Sequence, residues 1–378
     1  MAQEPFGDVP LFREIQRILA SGEGPVNLEI ARQVGNALAT QGTIDPNIDE
    51  DTKRFLEGAV HEAESVVAGY SRLPLDEPIR SHPVGRGWWV EATLKGWKWL
   101  LDHLAAHFGA ELERTQGEGA GPLQPAVGQI APLLMGIQAG TLVGRLTPGA
   151  LGRYDFPIPR DDDGKIFLVT PNVDKIGADY ALDRSGLITW LALHETTRHV
   201  VMNSAPWVSR YLRSLLLEIV DATEIDIGDL EKKLMELQSM GMEALQQGAE
   251  AESQLPVVPT ERHRKALDRL QAFVAAFDGY GRHVQEAVAS ETVSDAAKIG
   301  EGIGRFQSEN KDAEALLGSI LGVTIDRQLE VAGATFCAAV VSLKGLSELN
   351  RVWQAPDNLP TLEEIKDPFA WMDRVLVE

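Results

Sequence analysis

Residues 119–144 carry no charged side chain over 26 positions, in a chain whose charged residues make up 24% of the whole. A stretch of that length could cross a bilayer. Two features speak against it: Gln124, Gln129 and Gln138 would lose their water in lipid, and Pro122, Pro125 and Pro132 weaken the helix a span needs. Gly128, Gly136, Gly140 and Gly144 instead recur at a spacing that puts small residues on one helix face and lets two backbones approach closely. The expectation is an interior helix and no membrane partner.

Charge narrows the partners further. With 35 basic against 56 acidic side chains and a formal charge of −21, the chain has no basic footprint for phosphates, which excludes a nucleic-acid partner. The single cysteine, Cys337, lies in the apolar run Ala334-Thr335-Phe336-Cys337-Ala338-Ala339-Val340-Val341, so a buried thiol is expected and an intrachain disulfide is impossible. Met1-Ala2-Gln3-Glu4-Pro5 lacks a basic region followed by an apolar core, so the expected address is cytoplasmic.

Most of the chain has helical periodicity. Apolar residues fall three and four apart over 10–20, 27–39, 51–70 and 88–108, and again over 183–202, 207–220, 229–247, 261–289, 313–343 and 362–376. Linkers are expected at 113–121, 155–164 and 255–260. The clearest strand is Lys165-Ile166-Phe167-Leu168-Val169-Thr170, introduced by the Asp163-Gly164 turn signal and stopped by Pro171. The predicted fold is α+β and predominantly α-helical, with a small β-sheet beside the helix at 183–202. Residues 1–225 and 226–378 form two lobes of one compact unit with a cleft between them.

That helix carries Trp190-Leu191-Ala192-Leu193-His194-Glu195-Thr196-Thr197-Arg198-His199. A zinc hydrolase of this type needs two His four residues apart, which brings both imidazoles to one helix face, with the intervening Glu as general base. Here Arg198 stands at the second position and His199 follows one place late, about 140° around the helix from His194. His103 and His107 are also four apart but have only Asp102 beside them, and Asp161-Asp162-Asp163-Gly164 lacks the spacing of a calcium loop.

Several further segments carry a resemblance: Pro10-Leu11-Phe12-Arg13-Glu14-Ile15-Gln16, Gly24-Pro25-Val26-Asn27, Leu151-Gly152-Arg153-Tyr154-Asp155, Leu349-Asn350-Arg351-Val352-Trp353, and the run from Pro356 through Ile365 to Asp367-Pro368 and Trp371. With these the chain resembles the zincin-like metallopeptidases of actinobacteria and relatives, whose members are labelled as hydrolases or as associated with deazaflavin coenzyme biosynthesis. No deazaflavin-binding motif can be read in this sequence.

The resemblance implies a zincin fold, a zinc cofactor, and an edge strand along the cleft that holds extended substrate. It places His194 as a metal ligand and Glu195 as the catalytic base. Where a related Leu-Glu-Gly-His segment would fall, this chain has Phe277-Asp278-Gly279-Tyr280. Two readings stay open. In one, the chain is a metallohydrolase cleaving a peptide or small amide, its zinc held by His194 with His199 brought inward by a π-bulge, His283 and Asp278. In the other, it is a catalytically inactive binding or scaffold protein, with Arg198 and Tyr280 lining the cleft and Arg198 paired to Glu195 or Asp278.

Overall fold

The computed structural model describes residues 24–116, 124–225, 257–310, 318 and 327–376. The expected helices at 10–20 and 229–247, the start of the 313–343 pattern with its Gly322 interruption, and the family segment 10–16 lie outside the described residues.

From Gln124 on, the uncharged segment is a helix, and it packs as its glycines demand. Helix α1 (Leu28–Thr40) begins at Asn27, whose side chain accepts from Ile30 N at 3.1 Å. Helix α2 (Glu50–Ser71) follows, then strand β1 (Ser81–Val84), helices α3 (Arg86–Gly96) and α4 (Lys98–Gln116), and α5 (Gln124–Leu146). A Cβ at Gly136 would collide with the Asn27 carbonyl, one at Gly140 with the Ala31 carbonyl, and one at Gly144 would come within 2.9 Å of Gly35 O. Three positions on one face of α5 therefore lie directly against the backbone of α1. No helix among the described residues is long and apolar enough to cross a membrane.

Residues 88–108, expected as one helix, are two. Gly96 ends α3, its carbonyl accepting from Asp161 N at 3.0 Å, and a Cβ there would crowd the Arg160 side chain at 3.0 Å. The break lets the 155–164 loop cross between the two helices.

Strand β2 (Ile166–Val169) pairs in parallel with β1, Ser81 facing Ile166 and Val84 facing Val169. The expected open edge is a correction: all four β2 residues are buried. Gly152 bridges Leu168 on the far side, and Val169 N donates to Leu151 O at 2.8 Å. With both edges taken, β2 offers no ladder to an extended substrate. The strand ends before Pro171, as expected, but the chain goes straight on into a helix. Pro171 sits in the first turn of helix α6 (Thr170–Asp179), where a missing N–H is harmless.

The motif helix α7 (Arg184–Asn203) starts where Asp183 accepts from Gly186 N at 2.8 Å. Helix α8 (Pro206–Asp221) follows it, and the short antiparallel pair β3 (Thr223–Ile225) and β4 (Val257–Pro259) leads to the long α9 (Glu261–Thr292). Helices α10 (Ala296–Glu309), α11 (Arg327–Lys344), α12 (Leu346–Leu349), α13 (Leu362–Lys366) and α14 (Pro368–Leu376) complete the chain. The pattern at 362–376 divides at Asp367-Pro368, and α13 carries a capping box between Thr361 and Glu364. One continuous apolar core runs through both expected lobes, from Val26 to Val375. Cys337 is buried in it, and burial pushes its thiol pKa up.

The α1–α5 contact sets a stability test. Gly140→Val should lower the melting temperature sharply, because the new side chain meets a carbonyl with nowhere to move. Gly58→Ala, at an exposed helix position with nothing nearby, should raise stability by about 0.5–1 kcal/mol. Thermal denaturation of both variants checks the pair.

Candidate metal centre

Helix α7 brings two strips of side chains to the middle of the molecule, each joined by a four-residue step. The first is His194 and Arg198, which are 8% and 7% exposed. Arg198 Nη1 lies 3.1 Å from His194 Nδ1, and its Nε and Nη2 each reach Asp278 Oδ1 at 3.3 Å. Gly281, one turn along α9 from Asp278, leaves the room for this: a Cβ there would stand 3.2 Å from Arg198 Nη1. Trp190 stacks on the His194 ring with centroids 5.6 Å apart, and Gln285 Nε2 donates to Trp190 O at 3.2 Å. The face of α9 that meets the motif helix is thus Asp278, Gly281 and Gln285.

The second strip is Glu195 and His199, which faces the loop before β2. Glu195 Oε2 accepts from Arg153 N at 2.8 Å and Tyr154 N at 3.2 Å. The loop can approach this closely because residue 152 is glycine; a Cβ there would collide with the Glu195 carboxylate. The Tyr154 hydroxyl pairs with His199 Nδ1 at 3.0 Å. Asp155 folds back on the same loop, its Oδ2 accepting from Leu151 N and Gly152 N at 2.6 Å each.

One group of possible metal donors stands among the described residues: one ligand atom each from Asp155, His194 and Glu195, all within 4.8 Å of one another. Asp155 was not singled out in the sequence, although the segment that contains it was. The other expected ligands do not join this group. Helix α7 is regular through residue 203, so no π-bulge turns His199 inward, and its ring pairs with Tyr154 instead. His283 faces α2, with Nε2 3.1 Å from the Tyr70 hydroxyl. Tyr280 does not line a cleft: it is 1% exposed and donates to Asn350 Oδ1 at 2.8 Å. Arg198, buried as well, lines neither of the two cavities described below. His103 and His107 bind no common centre, one meeting Asp221 at 2.7 Å and the other the Thr223 carbonyl at 2.8 Å.

Burial dominates the electrostatics. Desolvation, then repulsion from Asp155, pushes the Glu195 pKa up to about 8 against the pull of the loop amides and Arg198. Asp155 and Asp278 are also raised by burial, with Arg198 opposing both shifts. His194 is held well below its usual range by burial and by the Arg198 charge, and burial with Arg153 lowers His199 to about 4. Near pH 7 the two imidazoles are neutral and Glu195 keeps its proton.

A cavity of about 810 Å³ lies between the C-terminal end of α2, the Ser204-Ala205 turn and the 346–354 segment, and includes Tyr70, Asn350 and Trp353 in its wall. A smaller one, about 170 Å³, sits beside His199 and Tyr154.

The raised carboxyl gives a pH test. Between about 4.5 and 8 the unfolded chain has released the Glu195 proton and the folded chain still holds it. Folding then takes up a proton, so this group's contribution to stability falls as pH rises through that window. Glu195→Gln has no such titration. The melting temperature of the variant relative to the native protein should therefore rise steadily from pH 5 to pH 8, and a flat difference would contradict the shift.

Comparison with known proteins agrees with this frame. A sequence profile described as zincin-like metallopeptidase matches residues 26–372. The chain is also similar to a crystal structure from Chloroflexus aurantiacus described provisionally as a hydrolase with a novel fold. That match has a TM-score of 0.66 and 24% identity, over 93% of this chain and 99% of that one. No curated protein matches.

Proposed function

The chain belongs to the zincin-like metallopeptidase family, and from that premise we propose that it is a binding member whose metal seat is filled by its own Arg198, with no zinc-dependent hydrolysis. The observation that carries this reading is the Arg198 guanidinium, 3.1 Å from His194 Nδ1 and 3.3 Å from Asp278 Oδ1. It fills the space between imidazole and carboxylate, which we read as the metal seat.

The donor set in that seat does not fit zinc. An ion about 2.1 Å from His194 Nδ1 would lie within roughly 5 Å of the guanidinium, and at an effective dielectric near 20 the repulsion amounts to several kcal/mol. Arginine keeps its proton and has no lone pair to offer a metal. A guanidinium holds water only by donating N–H bonds to its oxygen and is no Lewis acid, so it does not bring a hydroxide within reach at neutral pH. Ligand space remains in the cavity of about 810 Å³, a volume suited to a small molecule or short peptide. We assign a peptide or small amide ligand that is held without being cut.

A second reading is favoured by one observation, the convergence of Asp155, His194 and Glu195. In it the chain is a metallohydrolase of peptide or amide bonds with a displaced metal on these three groups. Against it, the Glu195 carboxylate and one Asp155 oxygen are already taken by backbone amides.

Elemental mass spectrometry after dialysis against zinc separates the two. The native chain should hold well under one zinc, and Arg198→His, which restores His at the four-residue spacing, should raise the content towards about one per chain. About one zinc on the native chain, lost on Asp155→Asn, would overturn the proposal in favour of the second reading.

A further inference from the structure

Among the described residues, the wall of the cavity of about 810 Å³ holds one charged side chain, Arg72, and no Asp or Glu, in a chain with 56 acidic residues. Arg72 is exposed and makes no ion pair and no side-chain hydrogen bond among the described residues, so its long side chain can turn to a ligand in the cavity. Its backbone is left-handed, with φ 56°, where it closes α2 by donating its N–H to Ala68 O at 3.0 Å. Glycine takes up that conformation at lower cost, so the turn itself gives no reason for an arginine.

The other polar groups of the wall divide in two. Asn350 accepts from the Tyr280 hydroxyl and donates to Ser71 O, at 2.8 Å each. The Ser204 hydroxyl donates to Val201 O at 2.8 Å, and the Tyr70 hydroxyl pairs with His283 at 3.1 Å. These groups are tied into the frame and keep the wall in shape. Ser347 and Gln354 are exposed and, like Arg72, have no side-chain hydrogen bond among the described residues. All three unpaired side chains can donate hydrogen bonds, and none is a carboxylate. Leu73, Leu346 and Trp353 add apolar surface to the same wall. Such a lining is complementary to a ligand with an apolar body and an anionic group. The cavity is also apart from the metal seat, since Ser204 lies about 15 Å along the motif helix from His194.

We propose that this cavity binds a short peptide-like acid, its free carboxylate held by Arg72 and its apolar side chain lying against Leu73, Leu346 and Trp353. The inference rests on the reading of this cavity as the place of a peptide or amide ligand, and adds the charge of that ligand and the residue that selects it.

Isothermal titration of the full chain with N-acetyl-leucyl-leucine, as the free acid and as the C-terminal amide, tests it. The acid should bind about tenfold or more tighter than the amide, as a charge-assisted hydrogen bond to the guanidinium requires. Arg72→Gly should abolish that difference, while the melting temperature holds or rises because glycine suits the left-handed turn. Equal binding of the two probes, or a preference for the acid that survives in Arg72→Gly, would overturn the carboxylate assignment and leave the cavity standing as a peptide site. Absence of binding by both probes would overturn the two together. Zinc content does not enter either outcome, so the reading of the metal seat stands or falls separately.

Discussion

The Arg198 guanidinium is the interaction around which the centre of this molecule is arranged. It ties the motif helix to α9 through Asp278 and opposes the burial-driven rise of three carboxyl groups, Asp155, Glu195 and Asp278. Removing one member of a buried ion pair typically costs about 3–5 kcal/mol, because the other charge is left uncompensated. The surroundings are shaped to this side chain, with glycine at 281 where any Cβ would press on it and Trp190 stacked over the imidazole it contacts.

What lets a long polar side chain sit there is the rotation of α9. Gly279 and Gly333 bring α9 and α11 together so closely that a Cβ on either would strike the other backbone. This fixes which face of α9 meets the motif helix. Residues 278, 281 and 285 share that face, being three and seven positions apart, whereas 280 and 283 turn to Asn350 and Tyr70. Tyr280 therefore bears on packing beside the large cavity, and Arg198 is the residue that bears on the centre.

The helical framework was legible because amphipathic periodicity and caps are local signals, and the α1–α5 contact because its glycines form a visible row. The breaks at Gly96 and Asp367 and the helix after Pro171 were not, since each depends on what crosses or caps the chain from a distance. At the site, His194 and Glu195 came with the motif and the resemblance, and the sequence left Arg198 a choice of Glu195 or Asp278, of which the structure takes Asp278. His199 and His283 were misplaced for one reason: their rings found hydroxyl partners, Tyr154 and Tyr70, from segments 45 and 213 residues away. Asp155 was missed because its role depends on a loop that Gly152 allows to press against Glu195.

The charge balance of the centre links two features that the sequence presents separately. A dication between His194 and Asp278 would carry one more positive charge than the guanidinium found there, and would favour an ionised Glu195, the form a general base requires. With Arg198 in that place the pull is weaker, and desolvation with the Asp155 charge outweighs it, pushing the Glu195 pKa up to about 8. On the proposed reading, arginine in that seat and a raised Glu195 pKa belong together. A glutamate at this position is compatible with the proposed absence of hydrolysis, because its protonated form limits the negative charge buried beside Asp155.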